Sequence, residues 1–247
     1  MSVSELQRDM AGWPPEATVF PVFSIDLAVF PGEHPFHLRE REAAQRNWAR
    51  EIAATPALYD GRMVFQHRLS IVNGAVKGEA YLAPFSTFLW WRKQSERQGG
   101  FHLFALPVAV SSDGAIIAIR MASHTANPGQ VYCAAGSLDE NDIVGGQADV
   151  ASNMRREVLE ETGLYLDDAI AEPQYYASHI NHSVTLFRVF RFPWTAEDML
   201  RRIEAHILVS EEDEVEGAVA IRSGDPAAHH YSAAMLPILA WFFGGGR

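Results

Sequence analysis

Arg156-Glu157-Val158-Leu159-Glu160-Glu161-Thr162-Gly163-Leu164 reads as the end of a helix that carries a cluster of carboxylates. At about 100° per residue, Glu157, Glu160 and Glu161 fall within one helix face about 100° wide. Like charges at i, i+3 and i+4 repel and weaken a helix unless something neutralises them. A hard divalent cation does so, because magnesium takes oxygen ligands and is shared between a few carboxylates and substrate phosphates. Arg156 lies beside Glu160 on the same wheel, placed to orient it. Asp149 stands where an N-cap is needed and Gly163 where a left-handed residue ends a helix, so the spacing predicts a helix over 150–162. Alone, an Arg/Glu-rich helix is more often a solvated face. The flanking pattern shifts the reading to a metal site.

Upstream, 102–110 and 115–121 read as two strands joined by the turn Ser111-Ser112-Asp113-Gly114, with a further short strand over 130–135 and a loop over 136–147. Downstream, strands are expected at 174–179 and 184–192, a helix at 196–207, a strand at 215–222 and a helix at 232–243. Strands interleaved with helices argue for a layered α/β architecture.

The segment REVLEETGL at 156–164 resembles the C-terminal half of the Nudix box, Gly-x5-Glu-x7-Arg-Glu-U-x-Glu-Glu-x-Gly-U with U aliphatic, at all seven of its defined positions. The order of strands and helices over 101–247 is also similar to that of the Nudix hydrolase superfamily. The upstream half of the box departs from the pattern: the family glutamate falls on Ala148 and the family glycine on Asp142. Gly136 takes the glycine's role if 137–147 is a lengthened loop, and Asp149, one residue late for the glutamate, is read as the N-cap. The resemblance implies an α/β/α sandwich with a mixed sheet. It also implies Mg2+ or Mn2+ held by Glu157, Glu160 and Glu161, with Arg156 in support. The implied reaction is hydrolysis of the diphosphate bond in a small nucleoside diphosphate derivative such as ADP-ribose, a UDP-sugar, a dinucleotide or coenzyme A. A general base is sought in Glu211-Glu212-Asp213-Glu214-Val215-Glu216, although such a run is more often a solvated acidic loop, and no single residue in it is favoured. Arg120, at a strand end, is a candidate phosphate contact or a plain surface arginine. His179-x-x-His182 is read as a pair of half-exposed histidines rather than as metal ligands.

Residues 1–100 form an α+β extension with a strand-like stretch over 19–30, a helix over 37–54 and a hairpin at Asn73-Gly74. Turn-rich Gln98-Gly99-Gly100 marks the expected boundary with the catalytic part. Phe88, Trp90, Trp91 and Arg92 offer stacking and charge for a substrate, or are a core strand with alternate aromatics. Leu58-Tyr59-Asp60-Gly61 and the hairpin after it are similar to the N-terminal part of Nudix members that act on UDP-sugars.

The composition limits the partners. With 20 Lys+Arg against 31 Asp+Glu the formal net charge is −11, which disfavours nucleic acid because phosphate backbones need a basic stripe. The single Cys133 forms no intramolecular disulfide, and neither an apolar leader nor a stretch of about 20 apolar residues is found, so a cytoplasmic protein is expected. The apolar stretch Met235–Phe243 reads as core or as a homodimer face. A second functional class stays open: a Nudix-fold sensor that binds a nucleotide without turning it over, if the glutamate missing at Ala148 is essential.

Overall fold

The computed structural model describes residues 10, 12–210 and 213–245; most of the stretch read for a leader, and Glu211 and Glu212 of the acidic run, lie outside the described residues. Its elements are β1 (Phe20–Val22), β2 (Ser24–Phe30), α1 (Pro35–Ala54), β3 (Arg62–Val72), β4 (Ala75–Pro84), α2 (Phe85–Arg92), β5 (His102–Val110) and β6 (Ile116–Met121). They continue as β7 (Val131–Tyr132), β8 (Ile143–Val144), β9 (Gln147–Ala148), α3 (Val150–Thr162), β10 (Ile170–Ile180), β11 (Ser183–Arg191), α4 (Ala196–Ile207), β12 (Val215–Ile221) and α5 (Met235–Phe243). The helices at 150–162 and 196–207 have the bounds their sequence signals indicate. In both, a side-chain oxygen at the N-cap, Asp149 or Thr195, accepts hydrogen bonds from the first-turn amides.

The fold is mixed α/β. The larger sheet runs β1-β10-β11-β5-β6-β12, with β7 added on β6, and its β5 and β11 are parallel while the other pairs are antiparallel. Helices cover both of its faces. Pro107 and Ala109 of β5 face Val158 of α3 and Ile203 of α4 around a small void. Leu106 points the other way, and its register partner Phe187 meets Trp241 of α5 at 5.4 Å. Met235, Ile238, Leu239 and Phe242 of α5 are buried in that core.

The second sheet runs β3-β4-β2-β9-β8. The stretch over 19–30, expected as one strand, breaks at Phe23. There β1 joins β10 of the large sheet, while β2 pairs with β4 and touches β9 at Gln147. Strands from before Gln98-Gly99-Gly100 thus enter both sheets, and Leu27, Val64 and Ile71 share one buried cluster with Leu103, Leu106 and Leu186. The loop expected over 136–147 holds a 3-10 turn at Glu140–Asp142 and the hairpin β8–β9. Residues 85–92 form a helix rather than a strand. Helical spacing stacks Phe88 on Trp91 at 5.8 Å, and both pack with Phe36 and Phe65 in a separate aromatic cluster, while Asp60 Oδ1 accepts from the Ser86 amide at 2.7 Å. No helix among the described residues is long and apolar enough to cross a membrane.

The hairpin turn pins the junction between the sheets. Asn73 and Gly74 both have positive φ, 51° and 75°, as a two-residue turn of this twist requires, and the Gly74 carbonyl accepts from the Phe23 amide at 2.8 Å. A β-carbon on Gly74 would stand 2.5 Å from the Phe23 ring and 3.0 Å from the Pro21 carbonyl oxygen. Gly74→Ala is therefore expected to cost about 1–2 kcal/mol, read as a lower urea midpoint with the slope unchanged. An unchanged midpoint would remove the turn from the account of the β1–β2 break.

Candidate functional site

Helix α3 is fixed at both ends and along one side. Asp149 Oδ1 accepts from the amides of Ala151 and Ser152, both at 3.0 Å, and these bonds hold its carboxyl below the usual carboxylate range. Gly163 takes φ 68° at the other end, and the space left by its missing side chain admits the ring of His206, whose Nε2 donates to the Glu160 carbonyl at 2.8 Å. The buried side of α3 carries Val150, Met154 and Val158, and the same side continues into Glu157 and Glu161, which are 9 % and 8 % exposed.

Arg156 organises the charges around that side. Its Nη1 lies 2.9 Å from Glu157 Oε1 and 3.0 Å from Glu160 Oε2, and its Nη2 lies 3.0 Å from Asp142 Oδ2 and 3.4 Å from Asp139 Oδ2. Burial works against the guanidinium's charge, but Glu157, Asp142 and Asp139 outweigh it and raise its pKa. Burial lifts the Glu157 carboxyl to about 7; Arg156 pulls it down, and Glu160, Asp142 and Asp139 push it up. Gly136 lies against this carboxylate: a β-carbon there would be 2.3 Å from Glu157 Cδ.

Sequence reasoning missed Asp139, Asp142 and Asn153. Asp142 is 2 % exposed, and its Oδ2 also accepts from Asn153 Nδ2 and from the Asp139 amide, each at 2.9 Å. The signal was the Asp139-x-x-Asp142 spacing, which closes a capping box on the 3-10 turn. Asn153, one turn before Glu157, reaches its Oε1 at 3.4 Å. Ala148, where the box glutamate was expected, is buried in β9 opposite Ile143.

Glu157, Glu161, Gly136 and Asp139 line one end of a cleft of about 1100 Å³. Tyr59, Asp60, Phe88 and Arg92 from the first hundred residues line it too, as do Arg97 and His102. Trp90 turns away, with Nε1 donating to Glu40, and Trp91 is buried in the aromatic cluster. Glu160 lies on Arg156 at the flank and does not line the cleft. Arg120 does not either: side chains alternate along β6, so Met121 faces the cleft while Arg120 is exposed beside Glu216, 3.7 Å away. The phosphate contact considered for Arg120 is corrected accordingly. In the acidic run Asp213 and Glu214 line the cleft, Asp213 with Oδ1 3.2 Å from His124 Nε2. His179 is buried, with Nε2 donating to the Pro14 carbonyl at 2.7 Å, and His182 sits in the β10–β11 turn with φ 62°.

Among the described residues no three His, Cys, Asp or Glu side chains converge on a point that would hold a metal ion. The donor set nevertheless suits magnesium or manganese. Glu157 and Glu161 present oxygen donors one turn apart toward the cleft, and magnesium is commonly held by one or two carboxylates, waters and substrate phosphates. A cation would also offset the cost of burying the Glu157 charge.

No protein-family model matches the chain, and no curated protein matches it. Solved structures similar to it include the MutT protein of Methanosarcina mazei, at 13% identity over 60% of this chain and 96% of that one with a TM-score of 0.40. DR0079 of Deinococcus radiodurans matches at 11% identity over 57% and 83% with a TM-score of 0.41. The Nudix hydrolase RenU of M. smegmatis matches at 12% identity over 57% and 80% with a TM-score of 0.37.

Removing the Asp142 carboxylate takes an acceptor from both Arg156 and Asn153, which are left sharing only the Oε1 of Glu157. Asp142→Ala is expected to cost about 3 kcal/mol in unfolding free energy, and Asp142→Asn less because it keeps an acceptor oxygen. A cost below about 1 kcal/mol for the alanine variant would mean that Asp139 and the glutamates suffice to hold Arg156.

Proposed function

We propose that the chain is a divalent-metal-dependent hydrolase of the Nudix kind that cleaves the diphosphate bond of a small nucleoside diphosphate derivative. The observation that carries this is the pair of buried carboxylates, Glu157 and Glu161, facing one end of a large cleft from the helix that bears the Arg-Glu-U-x-Glu-Glu-x-Gly-U pattern. The cleft's volume, about 1100 Å³, stands at the upper end for small-molecule sites and favours a two-part substrate such as ADP-ribose, a UDP-sugar, a dinucleotide or coenzyme A over a lone nucleotide.

In this reading Glu157 and Glu161 hold Mg2+ or Mn2+, with Glu160 at the flank. When bound, the metal screens the diphosphate oxygens and makes water a better nucleophile. Arg156 fixes Glu157 and Glu160 by two short contacts, so the carboxylates are ordered before substrate arrives. Gly136 leaves the room that the Glu157 carboxylate occupies. Asp213 and Glu214 are the described members of the acidic run that reach the cleft, and in this reading one of them accepts a proton from the attacking water. Tyr59, Phe85 and Phe88 give the cleft an aromatic surface for a base or sugar.

The test is phosphate release, coupled to a phosphatase, from a panel of nucleoside diphosphate derivatives with Mg2+ or Mn2+. Glu161→Gln is expected to keep the fold and to lose activity by more than the 10–100-fold typical of residues that merely support a metal ligand. Normal turnover in that variant would sink the metal assignment. No turnover by the natural chain, together with thermal stabilisation by one of the nucleotides, would establish the sensor reading instead.

A further inference from the structure

The cleft is acidic at the α3 end and basic on the wall that the first hundred residues supply. Arg92 closes α2, Arg97 follows in the link to β5, and both line the cleft half-buried. Arg92 donates from Nη1 to Asn127 Oδ1 at 3.2 Å and from Nη2 to the Ala126 carbonyl at 3.3 Å, with its guanidinium 5.7 Å from the Phe88 ring centre. Arg97 donates from Nε to the Arg92 carbonyl at 3.3 Å and from Nη1 to the Asn181 carbonyl at 3.2 Å and Ser183 Oγ at 3.4 Å, with its guanidinium 5.6 Å from the Trp91 ring centre.

Every one of these acceptors is neutral, and among the described residues neither guanidinium forms an ion pair. That is unexpected in a chain with 31 acidic and 20 basic side chains, where Arg156, Arg191 and Arg222 each contact a carboxylate. Five N–H groups per guanidinium leave donors to spare, Arg97 Nη2 among them. Burial lowers the pKa of both; for Arg92 the charge of Arg97 adds to it and the Glu51 carboxylate, which is not in contact, offsets only part, so the two cations sit close enough to repel. Burial and the same two charges hold His102 neutral, down to about 3. His102 Nε2 is 3.1 Å from Ser137 Oγ, next in the chain to the Gly136 that abuts Glu157, which links the basic wall to the carboxylate end.

We propose that Arg92 and Arg97 form an oxyanion subsite that grips a phosphate or carboxylate group of the substrate across the cleft from Glu157 and Glu161. Assigning that group to a substrate rests on the hydrolase reading; the binding of an oxyanion does not. The source is either the scissile diphosphate or a second anionic group on the part joined to it, and guanidinium forks recognise both in the same way.

The test begins with the full chain in EDTA, titrated with inorganic pyrophosphate by calorimetry and heated in phosphate, sulfate or chloride at equal ionic strength. Saturable pyrophosphate binding is expected, with phosphate and sulfate stabilising beyond chloride. Arg92→Met/Arg97→Met should bind at least about 10-fold more weakly, and lysine at both positions should restore part of the loss. No saturable binding by the natural chain, or equal binding by a folded double Met variant, overturns the subsite. If that variant does not fold, the pyrophosphate titration of Arg97→Met alone decides, weakened binding supporting the subsite and unchanged binding overturning it. The sources separate by KM: the double variant is assayed on a nucleoside diphosphate joined to a neutral sugar and on one whose second group bears a carboxylate or phosphate. A rise for both assigns the arginines to the diphosphate, a rise for the second alone assigns them to the further anion, and unchanged KM for both overturns the substrate role. Because the pyrophosphate titration needs neither metal nor turnover, failure of the hydrolase reading and failure of the subsite are seen separately.

Discussion

The guanidinium of Arg156, in contact with Asp139, Asp142, Glu157 and Glu160, is the interaction on which the candidate site depends. One cation holds four carboxylates that would otherwise repel, and Asp142 and Glu157 are buried where solvent screens little. Because Asp139 and Asp142 come from the loop before α3, the same contacts that order the glutamates also tie that loop to the helix. The loop is in turn seated on the second sheet by β8 and β9, so the glutamates are positioned by a structure extending from β2 to α3.

This arrangement gives a physical reason for the departure of residues 136–149 from the expected pattern. The position of the expected glutamate, Ala148, is a buried strand residue in β9, where a carboxylate would have to lose its hydration against Ile143. The position of the expected glycine, Asp142, supplies a buried carboxylate to Arg156 instead. A carboxylate is thus present beside the arginine, delivered from a different place in the chain. The small residue that the Glu157 side chain needs is found further upstream, at Gly136.

Where local chemistry decided the structure, it was legible. Asp149 and Gly163 bracket α3 because a side-chain acceptor and a left-handed residue are requirements of a helix end, and Asn73-Gly74 turns the β3–β4 hairpin for the same kind of reason. What depended on distant partners was not. The split at Phe23 follows from two sheets competing for one extended segment, and α2 forms because its aromatics find Phe36 and Phe65, residues remote in sequence. At the site, the glutamates and Arg156 could be read from helical spacing, and Asp142 could not, since its role comes from a loop folded back onto the helix. The direction of Arg120 depends on strand phase, which its place at a strand end leaves open, and alternation along β6 turns it outward. Arg92 was noted for its charge beside the aromatics, but its pairing with Arg97 depends on how the link into β5 is folded.

In the reading proposed above, Glu157 and Glu161 together bind a divalent metal at the acidic end of the cleft. Its most direct test is a Mn2+ titration followed by electron paramagnetic resonance, on the natural chain and on Glu157→Gln/Glu161→Gln, with Arg120→Ala as a control outside the cleft. Saturable binding to the natural chain and the control, and none to the double variant, is expected. Equal binding to all three proteins, or none to the natural chain, would contradict it.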